Sequence, residues 1–132
     1  MGLFDLFKKK KEQGNTKEDS LNKIWDLWEK GKAKAPYAQI MTYQAEVNNG
    51  GHDQFFFNLS NIGELEETMD ILKNALPEPM KEAFDKAYAA FLVLDKDEDN
   101  EEAQQILEEC DDAFYENEQL IQDILKEYAE RI

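Results

Sequence analysis

His52 is the only histidine of this chain and Cys110 its only cysteine. Catalysis by side chains needs a nucleophile beside a base, a matched acid and base, or a metal. One histidine and one cysteine cannot assemble the usual zinc or iron ligand sets, and a lone cysteine excludes an intramolecular disulfide. His52 and Asp53 are adjacent, and adjacent residues on a helix do not face one another. Cys110 falls on an apolar stripe among acids, surroundings that raise a thiol's pKa rather than activate it. No Gly-x-Ser-x-Gly elbow, phosphate loop or dinucleotide fingerprint occurs. Asp95, Asp97 and Asp99 match the first three ligand positions of an EF-hand loop. The match then fails, because Asn100 replaces the required glycine and Ile106 the closing glutamate. The residues point to a noncatalytic protein without metal or cofactor.

One stretch concentrates unusual residue types: Glu46-Val-Asn-Asn-Gly-Gly-His-Asp-Gln-Phe-Phe-Phe-Asn58. Asn48, Asn49, Gly50 and Gly51 tolerate the left-handed conformation that ends a helix and turns the chain. Asp53 can cap the aromatic segment beyond the turn. Phe55, Phe56 and Phe57 then spread over roughly 200° of helical arc, at about 100° per residue. One flat contact cannot bury three such rings, so the segment is expected between helices on more than one side.

Charge narrows the partners. Residues 1–35 hold 9 lysines against 6 acids; residues 36–132 hold 6 basic against 24 acidic residues, a net of −18. So acidic a body repels nucleic acid, whose binding depends on cations that neutralise phosphates, and is steered toward basic protein surfaces. The competing reading is that acidic helices simply present a solvated face. Asp95, Asp97, Asp99, Glu101, Glu102, Glu108, Glu109, Asp111 and Asp112 form the densest acidic run and the candidate interaction surface.

The elements that must position these groups read as amphipathic helices throughout. Residues 1–17 stand apart as a flexible tail in which Leu3, Phe4, Leu6 and Phe7 precede Lys8 to Lys11. Apolar anchors beside a basic cluster suit weak contact with a membrane surface or a partner. Residues 18–132 then form one acidic domain. After an Asp19 or Ser20 cap, Leu21, Ile24, Trp25 and Trp28 make one stripe. Pro36 opens a second helix to about Asn48. Further helices are expected over about 62–75 and 79–94. Two more run from Asn100 to about Cys110 and from Asp112 to Arg131, recapped at Asp111 or Asp112. No strand-like alternation appears. No run approaches the roughly 18 apolar residues of a membrane span, and the apolar stretch before Lys8 is too short for a secretion signal, so the cytoplasm is expected. The expected architecture is all-α, a compact single-domain bundle of about six helices around a short central aromatic helix.

In Glu46, Asn49, Gly50, Gly51, Gln54, Phe55, Phe56 and Asn58 the stretch resembles the signature of a bacterial DNA-mimic-protein-like family of unknown function. His52 stands where that family usually carries an aromatic residue. Asp111-Asp-Ala-Phe-Tyr115 also looks like the family, and the two matches bracket roughly residues 20–130. The resemblance implies an all-α acidic module that binds a basic, DNA-binding protein in place of DNA, with no enzymatic role. The signature itself can be a fold device, with Glu46, Gln54 and Asn58 hydrogen-bonding the backbone of the turn, or it can line a small groove for a ligand or peptide. A membrane-peripheral adaptor acting through the tail is the other alternative.

Overall fold

The structure, a computed structural model, describes residues 16–132. The tail residues Leu3, Phe4, Phe7 and Lys8, and with them the expected membrane contact, lie outside the described residues. Five helices succeed one another: α1 (Thr16–Glu29), α2 (Tyr37–Asn61), α3 (Leu65–Ala75), α4 (Glu78–Lys96) and α5 (Glu101–Arg131). No strand occurs among the described residues. The all-α expectation holds among the described residues, which form five helices where about six were expected.

Periodicity explains where each helix puts its apolar side. On α1, Ile24 is fully buried, and Leu21, Trp25 and Trp28 pack against the core. The two indoles meet edge to face at 5.3 Å, and the Trp28 indole N–H donates to the Thr42 hydroxyl at 2.9 Å. On α3, Met69 and Leu72 turn inward, while Glu66 and Glu67 in the first turn and Lys73 in the last complement the helix dipole. On α4, Met80, Ala83, Phe84, Ala87 and Ala90 are buried. Helices α4 and α5 make the most extensive pair in the bundle, and the small Ala83, Ala87 and Ala103 at the core side allow their close approach.

Two features of the bundle differ from the sequence reading. Glu101–Arg131 is one continuous helix instead of two pieces joined near Asp111. Leu107, Phe114, Ile121 and Tyr128 recur every seventh residue, two helical turns apart, and all four are buried. Asn117 interrupts only the neighbouring row, and its side chain donates back to the Ala113 carbonyl at 2.8 Å, so the helix runs through it. The Asn100 side chain caps the start, accepting from the Ala103 N–H at 2.9 Å. The second difference is Phe57, which is 57% exposed. Phe55 and Phe56 are sealed in the core, and the next 100° step carries Phe57 outward.

Candidate functional site: a capped kink and an acidic helix face

Helix α2 does not end at the glycine pair; it bends there and resumes. Gly50 sits at φ −157°, ψ 17° and Gly51 at φ 79°, ψ −179°. The second combination is open essentially to glycine alone, and a Cβ on Gly51 would run into the Asp111 carboxylate. Such a break leaves backbone N–H groups at the start of the resumed helix without intrahelical acceptors. The His52 N–H is met by Asp111 Oδ1 at 2.8 Å, from α5, 59 residues away in the chain. Asp111, and not Asp53, therefore caps the aromatic half of α2, and its negative charge lies at a helix N-terminus, where the dipole favours it. Asp53 is exposed.

The same carboxylate oxygen lies 2.7 Å from His52 Nδ1, and His52 Nε2 lies 2.6 Å from the Tyr43 hydroxyl. A carboxylate only accepts hydrogen bonds, so His52 donates from Nδ1 to Asp111 and sets Nε2 against the Tyr43 hydroxyl. Both rings have no exposure. Burial pushes the Tyr43 hydroxyl well above its ordinary pKa, assisted by nearby Cys110 and Asp111, which keeps it a donor. Tyr43 also meets Phe55, Phe84 and Phe114 edge to face at 5.3 to 5.4 Å. Asp111, His52 and Tyr43 thus form a chain that runs from the surface into the aromatic centre. His52 and Tyr43 are sealed in the core, and the chain of hydrogen bonds ties the bend of α2 to α5.

Two amide–carboxylate clamps flank the bend. Glu46 Oε2 accepts from Gln54 at 2.9 Å and from Asn58 at 2.8 Å. Glu118 Oε2 of α5 accepts from Gln44 at 2.9 Å and from Asn48 at 2.7 Å. Each pair of amides is spaced i, i+4; Glu46 precedes the glycines and holds the turn that follows them, so its clamp spans the bend, while Glu118 ties the turn before the glycines to α5. Glu46, Gln54 and Asn58 therefore bond one another, where the sequence reading gave them the backbone of the turn. Asn49 and Gly50 are exposed. Neither of two surface grooves, one between α4 and α5 and one near Pro36, takes a lining residue from the motif.

The acidic residues have a different organisation. Helix α5 carries eleven acidic residues against Lys126 and Arg131. Glu101, Glu108, Asp112, Glu116, Asp123, Glu127 and Glu130 are all exposed, and at about 100° per residue they fall within an arc of roughly 100° opposite the buried face. At a rise of about 1.5 Å per residue the row is about 44 Å long, with its i, i+4 steps about 6 Å apart. Glu102 and Glu109 stand beside it, and Asp95, Asp97 and Asp99 lie at the end of α4 and in the turn before α5, all exposed. Of the acidic surface expected from the sequence, only Asp111 is turned inward, its side chain 26% exposed. Among the described residues no group of three or more His, Cys, Asp or Glu could hold a metal ion.

A family model described as DMP19-like protein matches residues 31–132. The chain belongs to the DMP19-like family. The matched span leaves out α1 and takes in the kink, both clamps and all of α5. No curated protein and no solved structure matches this family member. Three residues that build its kink, Tyr43, Gln44 and Glu118, were not singled out from the sequence. The available signal was Gln44, an amide next to a buried tyrosine on an otherwise apolar stripe. Asp111 gave none, since nothing in a run of acids distinguishes the one that turns inward. Among the described residues no helix is long and apolar enough to cross a membrane.

Proposed function

We propose that the protein is a noncatalytic DNA mimic whose α5 outer face binds a basic, DNA-binding protein in the cytoplasm. The observation that carries this reading is the row of exposed carboxylates from Glu101 to Glu130 on one unbroken helix. Membership of the DMP19-like family supports it. A nucleic-acid-binding surface is built to neutralise closely spaced phosphates with Lys and Arg, and a rigid row of carboxylates offers those cations a comparable set of charges. Long, solvated acidic side chains would provide solubility wherever they fell. Seven of them in line along about 44 Å of helix are an arrangement that a partner can read.

The test is competition. The full chain is immobilised, retained proteins are eluted with rising salt, and a captured DNA-binding protein is challenged with duplex DNA. Displacement by DNA, together with loss of capture when Glu108, Asp112, Glu116, Asp123 and Glu127 are changed to their amides, is the expected result. Retention that duplex DNA cannot displace, or that survives the five substitutions, would sink the proposal.

A further inference from the structure

Helices α4 and α5 run antiparallel, since only residues 97–100 separate them, and a groove of about 720 Å³ lies along their seam. Its base and walls are small and apolar, with Ala89, Ala90 and Val93 from α4 and Ala103, Ile106 and Ala113 from α5. Val93 is 43% exposed. The groove lies on the flank of α5 turned away from α2. At about 100° per residue, Ile106 and Ala113 stand roughly 120–160° around the helix from Asp111 and Glu118, which hold the bend. The same flank continues past the groove with Leu120, seven residues after Ala113 and 36% exposed.

Charge marks the rims. Glu82 of α4 and Glu102 and Glu109 of α5 line the groove, with Lys86 as the one cation among its lining residues. All four are exposed. An apolar base between acidic rims narrows the choice of occupant. Nucleic acid, anionic lipid and a second copy of this chain, whose net charge is −15, all meet like charge there. An extended peptide would lay unpaired backbone N–H and C=O groups over alanine, valine and isoleucine, whereas a helix satisfies its own. The walls set a length as well. From Glu82 to Val93 and from Glu102 to Ala113 the rise is about 16 Å, three helical turns. Small side chains at the base let a third helix approach closely.

We infer that the α4–α5 groove seats an amphipathic helix of a partner protein, one with an apolar stripe about three turns long between flanking Lys or Arg residues. The stripe covers the alanine-lined base beside Val93. The cations face Glu82 on one rim and Glu102 and Glu109 on the other, the helix-in-groove mode of recognition. The groove adds what the row of carboxylates lacks, an apolar contact of fixed length. The inference concerns a separate flank of α5 and stands whether or not the outer row is bound in place of DNA.

The probe is a synthetic peptide of about 18 residues, long enough to form a helix by itself, with leucines at i, i+3, i+4 and i+7 and lysines at the flanking positions. A scrambled peptide of the same composition is its control. Titrated into the isotopically labelled full chain, the amphipathic peptide should shift the amide signals of Ala89, Val93, Ile106 and Ala113 together. The scrambled peptide should bind at least about tenfold more weakly, having lost its apolar face. Val93→Glu, at an exposed position, should weaken binding more than about tenfold. Changing Glu82, Glu102 and Glu109 to glutamine should weaken it about three- to tenfold, and Lys86→Ala should tighten it. The five amide substitutions of the outer row remove more charge and should weaken it less. Equal binding by the scrambled peptide would overturn the inference. So would shifts centred on the outer row or on the groove near Pro36, or a larger loss from the five outer substitutions than from the three at the rims. Shifts at Val93 and Ile106 that grow with protein concentration alone would make a second copy the occupant and overturn it too. Displacement of a captured protein by duplex DNA is a separate measurement, so either reading can fail while the other holds.

Discussion

The bend in α2 and the outer face of α5 are both crowded with polar groups, and they treat them in opposite ways. At the bend a set of polar side chains is held by protein partners: Asp111 holds His52, His52 holds Tyr43, Glu46 and Glu118 each hold two amides. On the outer face the carboxylates of Glu108, Asp112 and Glu116 stand exposed to solvent. The first arrangement spends most of its hydrogen bonds within the fold. The second leaves its capacity free for something else. The conspicuous motif therefore works inward, and the plain-looking acidic helix is the surface that remains available.

That contrast can be broken or sharpened by substitution, and Gly51→Ala should have the largest effect. It combines a backbone conformation closed to alanine with a collision against Asp111, and a loss of about 3 kcal/mol or more is expected. Chemical denaturation measures it, and a variant of near-native stability would show that the bend is not tied to glycine. Next comes Asp111→Ala, which leaves the His52 N–H and the buried imidazole without their acceptor. A cost of about 2–3 kcal/mol is expected. The neighbouring Asp112→Asn should stay within about 0.5 kcal/mol, and equal costs for the two would erase the distinction between inward and outward acids.

Tyr43→Phe should cost less, about 1–2 kcal/mol, and should also alter the alkaline limb of the stability profile. Tyr43 and Cys110 both have pKa values raised by burial. The unfolded chain therefore loses these protons first and binds fewer of them than the native state, so stability falls as pH rises. The decline should begin near the ordinary cysteine value of 9.0 and steepen as the ordinary tyrosine value of 10.0 is passed. Cys110→Ala should remove the earlier part and Tyr43→Phe the later, as read from denaturation midpoints across pH. The smallest effect is expected from the outer face. Converting Glu108, Asp112, Glu116, Asp123 and Glu127 to amides should leave stability unchanged or raise it slightly by relieving like-charge repulsion. A loss above about 1 kcal/mol would mean that the row has a structural role after all.

Helices α1, α3 and α4 were legible because each carries an unbroken apolar stripe closed by glycine, proline or a lysine-rich end. The glycine pair was legible as a place where the backbone departs from helix. That the helix resumes was not, because the group that allows it, Asp111, is brought there by tertiary structure. The continuity of α5 was obscured by reading Asn117 as a break in the pattern when the row through Leu107, Phe114, Ile121 and Tyr128 passes it undisturbed. Three consecutive phenylalanines suggested burial on all sides, yet a helix with a solvent face has room for two of them. The candidate site divides the same way. The identities in Glu46–Asn58 were plain, and their partners Tyr43, Asp111 and Glu118 depend on contacts that no local spacing encodes.

The cap supplied to α2 by Asp111 also constrains how the molecule can be made. During synthesis the aromatic half of α2 leaves the ribosome long before α5 exists, and domains tend to fold as units as their chain emerges. Until Asp111 arrives, the resumed helix lacks the acceptor for its first N–H and His52 has no reason to enter the interior. A chain stopped short of residue 111 would not be a smaller bundle lacking one helix. It would be a nascent protein with an open seam at its centre, closed only once α5 has been translated.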